Sequence, residues 1–136
     1  MSKSTDESKM ILFVDDDRVY LKYLIHKFKE VLGNAYEYEK ANSAEDAHEV
    51  ISDEIATSGN LPALMLVDWM MPGKRGDKLL IEVNQLYPEI SLILHSGLAD
   101  EKTHEMIAQK SDILCSLRKP WDGKEHLDLI KKQLDS

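Results

Sequence analysis

Hydrophobic and polar positions along this chain switch repeatedly between two periods. Ile11-Leu12-Phe13-Val14 is a short continuous apolar run, the pattern of a strand covered on both faces. Behind it Tyr20, Tyr23, Leu24, Phe28, Val31 and Leu32 recur at helical spacing and stop at Gly33, which predicts an amphipathic helix ended by glycine. Tyr36-Glu37-Tyr38-Glu39 alternates ring and charge, as a strand with one solvated face does. Ser43 followed by Asp46 has the form of a capping box. It opens a helix with Ala44, Ala47, Ile51 and Ile55 on one side, and Gly59 and Pro62 end it. Leu64-Met65-Leu66-Val67 is a second continuous apolar run. A loop with Pro72 and Gly73 then leads to a helix buried through Leu79, Leu80, Val83 and Leu86. A fourth strand covers Ser91-Leu92-Ile93-Leu94-His95, and a helix with a meagre apolar face follows over about 100–110. The fifth strand covers Ile113 to Leu117, and a last helix carries Leu127, Ile130 and Leu134.

Strands alternating with helices five times predict βαβ units and an α/β, three-layer, doubly wound fold with a parallel sheet covered on both faces. The first, third and fourth strands are continuous apolar runs, as central strands should be. The second alternates and the fifth contains Ser116, as strands nearer the edges should. The expected order is therefore the flavodoxin-like 2-1-3-4-5. Residues 1–9 are polar and read as a flexible tail, and 10–136 as one domain.

Composition narrows the function class. The chain has 136 residues, 43% of them apolar and 31% charged, the balance of a globular domain. No apolar run approaches the length that spans a bilayer, and the polar start lacks the apolar segment of a secretory signal. A cytoplasmic location is expected. The net charge of −8 argues against nonspecific nucleic-acid binding and against an anionic membrane surface. It suits protein partners and bound cations. The single cysteine, Cys115, lies in an apolar run and reads as a buried, inert thiol.

In open parallel sheets ligands bind beyond the carboxyl ends of the strands. Those ends are polar here: Asp15-Asp16-Asp17 after the first strand, Asp68 after the third, Ser96-Gly97 after the fourth, and Arg118-Lys119-Pro120 after the fifth. Two carboxylates about 4 Å apart repel by roughly 4 kcal/mol at an effective dielectric of about 20. Several such contacts are large against a total stability of about 5–15 kcal/mol, so the cluster calls for a cation. Lys119 supplies one charge. A divalent ion bound by a few carboxylates, a carbonyl and water, as Mg²⁺ prefers, would supply more. A carboxylate can also act as a nucleophile toward phosphorus, and phosphoryl transfer depends mainly on positioning and charge neutralisation.

Four segments carry a resemblance: Val14-Asp15-Asp16, Leu66-Val67-Asp68-Trp69-Met70-Met71-Pro72-Gly73, Leu94-His95-Ser96-Gly97 and Arg118-Lys119-Pro120-Trp121. Each alone is common, but together, in order and at successive strand ends, they resemble the receiver domain of two-component response regulators over residues 10 to about 135. The resemblance implies that Asp68 accepts a phosphoryl group. It implies that Asp15, Asp16, Asp68 and the Met70 carbonyl hold Mg²⁺, with Mn²⁺ as a substitute. Ser96 would hydrogen-bond the phosphoryl group, Lys119 would pair with one of its oxygens, and Pro120 would follow a cis bond. The implied partners are a histidine kinase or phosphotransfer protein upstream, and a separate protein or a C-terminal output domain downstream. Homodimerisation is left open. No enzymatic activity beyond self-phosphorylation and autodephosphorylation is expected.

Two departures from the family pattern matter. Ser116 stands where receivers commonly carry Tyr or Phe, so the usual coupling of a ring to the hydroxyl on the fourth strand cannot operate in that form. Met70 and Leu98, at two positions that modulate hydrolysis in the family, are both apolar, which predicts a long-lived phosphoryl group.

Plainer roles compete for some of these residues. Asp17 reads as the cap of the first helix, His95 as structural, and Trp69 and Trp121 as packing. The alternative function is a phosphatase of the haloacid dehalogenase type using the Asp15-x-Asp17 spacing. It has Arg18 where that family has Gly, and it leaves Asp68 and Pro72 unexplained. A flavodoxin-like cofactor binder would need a Gly- or Ser/Thr-rich cradle, whereas this loop is acidic.

Overall fold

The computed structural model describes residues 9–69, 71, 76–96 and 113–136. The strands are β1 (Lys9–Val14), β2 (Tyr36–Ala41), β3 (Leu64–Asp68), β4 (Ser91–Ser96) and β5 (Cys115–Arg118). The helices among the described residues are α1 (Arg18–Leu32), α2 (Ala44–Ser58), α3 (Gly76–Leu86) and α4 (Leu127–Leu134). All strand pairs are parallel, in the order β2-β1-β3-β4-β5. The sequence gives this order because the three apolar runs need cover on both faces and therefore take the middle.

Side chains of a strand alternate between its two faces, and the core divides accordingly. Leu12 and Val14 of β1, Met65 and Val67 of β3, and Leu92 and Leu94 of β4 join Ala47, Ile51, Leu79, Leu80 and Val83 of α2 and α3. Ile11 and Phe13, Leu64 and Leu66, Ile93 and Leu117 join Leu21, Leu24 and Phe28 of α1, Trp121, and Ile130 and Leu134 of α4. The second face is built round rings. Phe28 meets Phe13 edge-on at 5.1 Å and lies 4.4 Å from the Trp121 ring.

Helix ends follow the expected chemistry. Ser43 Oγ accepts from the Asp46 N–H at 3.0 Å, while Asp46 reaches back to the Asn42 N–H at 3.0 Å, one residue earlier than in a standard capping box. Gly59 closes α2 in the left-handed region at φ 77°, and Gly33 closes α1 at φ 85°. Strand and helix faces differ from the periodic reading in particulars. β1 starts at Lys9, whose backbone pairs with Tyr36, since ladder pairing is blind to side-chain polarity. β5 is shorter than expected, beginning at Cys115. Leu21, rather than Tyr23, takes the core place on α1. Ile55 is 37% and Leu86 61% exposed. Both stand in the last turn of their helices, where solvent reaches more sides than at the middle.

Candidate functional site

The site lies at the carboxyl ends of β1, β3 and β5. Asp15 directly follows β1, and its N–H donates to the Ala41 carbonyl at 3.1 Å, so the β1–β2 ladder holds this backbone in place. Its carboxylate is buried. Oδ1 accepts from the Asp17 N–H at 2.9 Å, and Oδ2 accepts from Lys119 Nζ at 2.5 Å. Asp16 is exposed. Asp17 caps α1, its Oδ1 accepting from the Tyr20 N–H at 3.0 Å. That occupies the carboxylate on which the phosphatase alternative depends, and nothing here supports that alternative.

Asp68 is the last residue of β3 and is 6% exposed. On its neighbour strand it stands in register with His95, and the Trp69 N–H donates to the His95 carbonyl at 3.0 Å. Lys119 Nζ lies 3.1 Å from Asp68 Oδ1. One ammonium thus bridges two carboxylates that stand at the ends of different strands. A carboxylate oxygen from each of Asp15, Asp16 and Asp68 falls within 4.8 Å of the others. Three ionised carboxylates and one ammonium leave two negative charges, which a divalent cation would neutralise. The donor set is all hard oxygen, so the cluster fits a metal ion of the Mg²⁺ or Mn²⁺ kind.

The electrostatics report the same tension. Burial, then the Asp15 charge, pushes the Asp68 carboxyl up to about 6, although Lys119 pulls it down. Burial alone would lower Lys119. The hydrogen bond to Asp15 and the charge of Asp68 outweigh it and hold the ammonium above its ordinary value. Burial pushes the Cys115 thiol up to about 12, which keeps it protonated and unreactive.

A close approach at Gly76 supports Asp68 from below. The Gly76 N–H donates to the Trp69 carbonyl at 3.1 Å, and a Cβ at Gly76 would stand 1.9 Å from the Asp68 carbonyl oxygen. Any side chain there would displace the backbone of Asp68 or the start of α3.

The remaining candidates divide as follows. The Lys119–Pro120 peptide is cis. Ser96 ends β4, in register with Arg118. Ser116 is half-buried and in register with Leu94, whose side chain packs under α2 and α3. Met70, Pro72, Gly73, Leu98 and the helix expected over 100–110 lie outside the described residues. Trp121 is fully buried against Phe28, and its indole N–H donates to the Glu125 carbonyl at 2.9 Å.

Three residues next to the site escaped the sequence reading or were given a lesser part in it. Tyr20 reads as one more apolar position of α1, yet its hydroxyl lies 2.9 Å from His95 Nε2 and accepts from the Trp121 N–H at 3.1 Å. His95 reads as structural. The signal for both was a histidine in an otherwise apolar central strand, which must find a hydrogen-bond partner when buried. Gly76, between charged residues at the start of a helix, carried no signal short of the contact itself.

Comparison with known proteins agrees with this geometry. The family model described as the response regulator receiver domain matches residues 11–131. The phosphate regulon transcriptional regulatory protein PhoB of Pseudomonas aeruginosa is 33% identical over 130 residues, covering 93% of this chain. The chain spans about half the length of that relative, 52%. The signal receiver domain of an HD domain-containing protein from Pseudomonas fluorescens is 27% identical with a TM-score of 0.77, covering 95% of this chain and 96% of its own. A CheY-like receiver domain protein from Methanospirillum hungatei is 26% identical with a TM-score of 0.74, covering 95% of each chain. No helix among the described residues is long and apolar enough to cross a membrane. With a buried strand-end aspartate, two further acids and a bridging lysine on this sheet order, the chain belongs to the receiver domains of two-component response regulators.

Proposed function

We propose that Asp68 accepts a phosphoryl group from a histidine kinase or a phosphotransfer protein, with Asp15 and Asp16 holding Mg²⁺ and Lys119 neutralising a phosphoryl oxygen. The observation that carries this reading is the single ammonium set against two carboxylates, at 2.5 Å from Asp15 and 3.1 Å from Asp68. At neutral pH the Asp68 carboxyl, with its pKa pushed up to about 6, is ionised and able to act as a nucleophile. One of its oxygens forms the new O–P bond as the donor's bond to phosphorus breaks, and that electron pair leaves with the donor. Lys119 is then drawn from a carboxylate oxygen to a phosphoryl oxygen without leaving the site. A bound divalent ion supplies charge neutralisation at the phosphoryl oxygens.

Ser96 at the end of β4 is proposed to hydrogen-bond the phosphoryl group, and the Met70 carbonyl to complete the metal ligands. Met70 and Leu98, both apolar, slow hydrolysis, and the only turnover is self-phosphorylation and autodephosphorylation. Residues 9–136 act as one receiver unit in the cytoplasm, Lys9 already belonging to β1. The Pseudomonas aeruginosa relative is a transcriptional regulatory protein of which this chain covers 52%. That supports signalling to an output domain or to a separate partner.

The test is labelling by acetyl phosphate with and without Mg²⁺. Wild type is expected to take up phosphate only with the ion present, and Asp68→Asn not at all. Retained labelling in Asp68→Asn would remove the reading.

A further inference from the structure

Lysine 119 must hold an ammonium at a defined place with a side chain rich in rotamers, and the turn that carries it is pinned to an unusual degree. The Arg118 N–H donates to the Glu125 carboxylate at 2.9 Å. The Trp121 N–H donates to the Tyr20 hydroxyl at 3.1 Å. The Tyr23 hydroxyl donates to the Trp121 carbonyl at 2.7 Å. His95 of β4 stands in register with Leu117 of β5, and its Nε2 lies 2.9 Å from the same Tyr20 hydroxyl.

Burial, then the Lys119 charge, pushes the His95 imidazole down to about 3, so the ring is neutral and carries one proton. Its Nε2 and the Tyr20 hydroxyl share a hydrogen bond at 2.9 Å. The tyrosine oxygen in turn accepts from Trp121. The chain runs from the Trp121 N–H through the Tyr20 hydroxyl to His95. It ties the backbone just after Pro120 to the strand that lies beside β5. Tyr20 also acts on the other end of the lysine, because Lys119 Nζ stands 4.8 Å from the centre of its ring, within cation–π range.

We propose that Tyr20 and His95 are positioning residues for Lys119, holding its backbone through the hydrogen-bond chain and its ammonium over the Tyr20 ring, so that it meets the phosphoryl group on Asp68. The inference rests on the reading of Asp68 as acceptor. Tyr20 and His95 bond to each other and to the Trp121 backbone, not to the reacting carboxylate. Their effect passes through Lys119.

That route gives the test a signature which a merely structural role would lack, namely non-additivity with Lys119. Acetyl phosphate labelling rates with Mg²⁺ are measured for wild type, Tyr20→Phe, Lys119→Ala and the double variant, with His95→Asn in place of Tyr20→Phe as a second cycle. Tyr20→Phe keeps the ring and loses the hydroxyl. His95→Asn shortens the side chain, so that it no longer reaches the Tyr20 hydroxyl. Each is expected to slow labelling by about three- to tenfold, the effect of one hydrogen bond. In the Lys119→Ala background the same changes are expected to have almost no effect. If labelling of Lys119→Ala is below detection, beryllofluoride binding, read by tryptophan fluorescence, serves in the same cycles with the same expected coupling. Equal slowing with and without Lys119, or no slowing in the wild-type background, would overturn the inference. Labelling that survives Asp68→Asn would overturn the acceptor reading instead.

Discussion

The two faces of this sheet are built from different materials. Under α2 and α3 the core is aliphatic, with Leu12, Val14, Ile51, Val67, Leu79 and Leu80 among its members. Under α1 and α4 it is organised by rings, with Phe13, Phe28 and Trp121 packed together and Tyr20, Tyr36 and Tyr38 at its margin. Aliphatic contacts are non-directional and stabilise in proportion to the area they bury. Tyrosine and tryptophan add directional hydrogen bonds when buried. The carboxyl end of the sheet draws on the second kind. Leu64, Leu66 and Asp68 alternate onto one side of β3, and Ile93 and His95 onto the same side of β4. The aromatic face therefore continues into the site, whereas the aliphatic face supports it from behind.

Core truncations on the two faces give the largest contrast. Trp121→Ala is expected to cost about 3–5 kcal/mol and Ile51→Ala about 2–5 kcal/mol, read by urea unfolding. Once both variants are studied well below their unfolding midpoints, only Trp121→Ala should slow acetyl phosphate labelling, because Lys119 hangs from the Trp121 turn. Comparable labelling losses for both would erase the distinction between the faces.

Asp68 gives a smaller, pH-dependent effect. Its carboxyl rises from an unfolded value near 3.8 to about 6 in the fold, so the folded state binds this proton more tightly than the unfolded one. The group's contribution to stability is thus greatest below about pH 4. It falls as pH rises to about 6 and stays lost at neutrality. With a chelator present, Asp68→Asn is expected to gain about 2 kcal/mol at pH 7 and nothing below pH 4, and adding Mg²⁺ should narrow the gap by stabilising wild type alone. Thermal melts across pH check this. The smallest effect belongs to the aliphatic side. Ser43→Ala removes the α2 cap and should cost about 1 kcal/mol in the same melts, with labelling unchanged.

Much of this was legible in the chain. The continuous runs at Ile11, Leu64 and Leu92 marked the central strands, and the acids and lysine at strand ends marked the site, because both signals are local in sequence. The capping residues Asp17, Ser43, Gly33 and Gly59 were legible for the same reason. The pairing of Tyr20 with His95 spans 75 residues, and no periodicity encodes which buried histidine meets which tyrosine. The Gly76 contact with the Asp68 backbone was hidden for a related reason, since a glycine announces freedom but not the neighbour that requires it.

Among the described residues, sequence alone determined the element types, the sheet order and the residues that carry charge at the carboxyl edge, since apolar periodicity and strand-end chemistry act over a few residues at a time. Tertiary structure decided the rest. It set one ammonium between two carboxylates at the ends of different strands, lifted Asp68 by burying it beside Asp15, and joined His95 through Tyr20 to the turn that carries Lys119. These are properties of distance and desolvation between segments far apart in the chain, and they come into being only when the sheet brings those segments together.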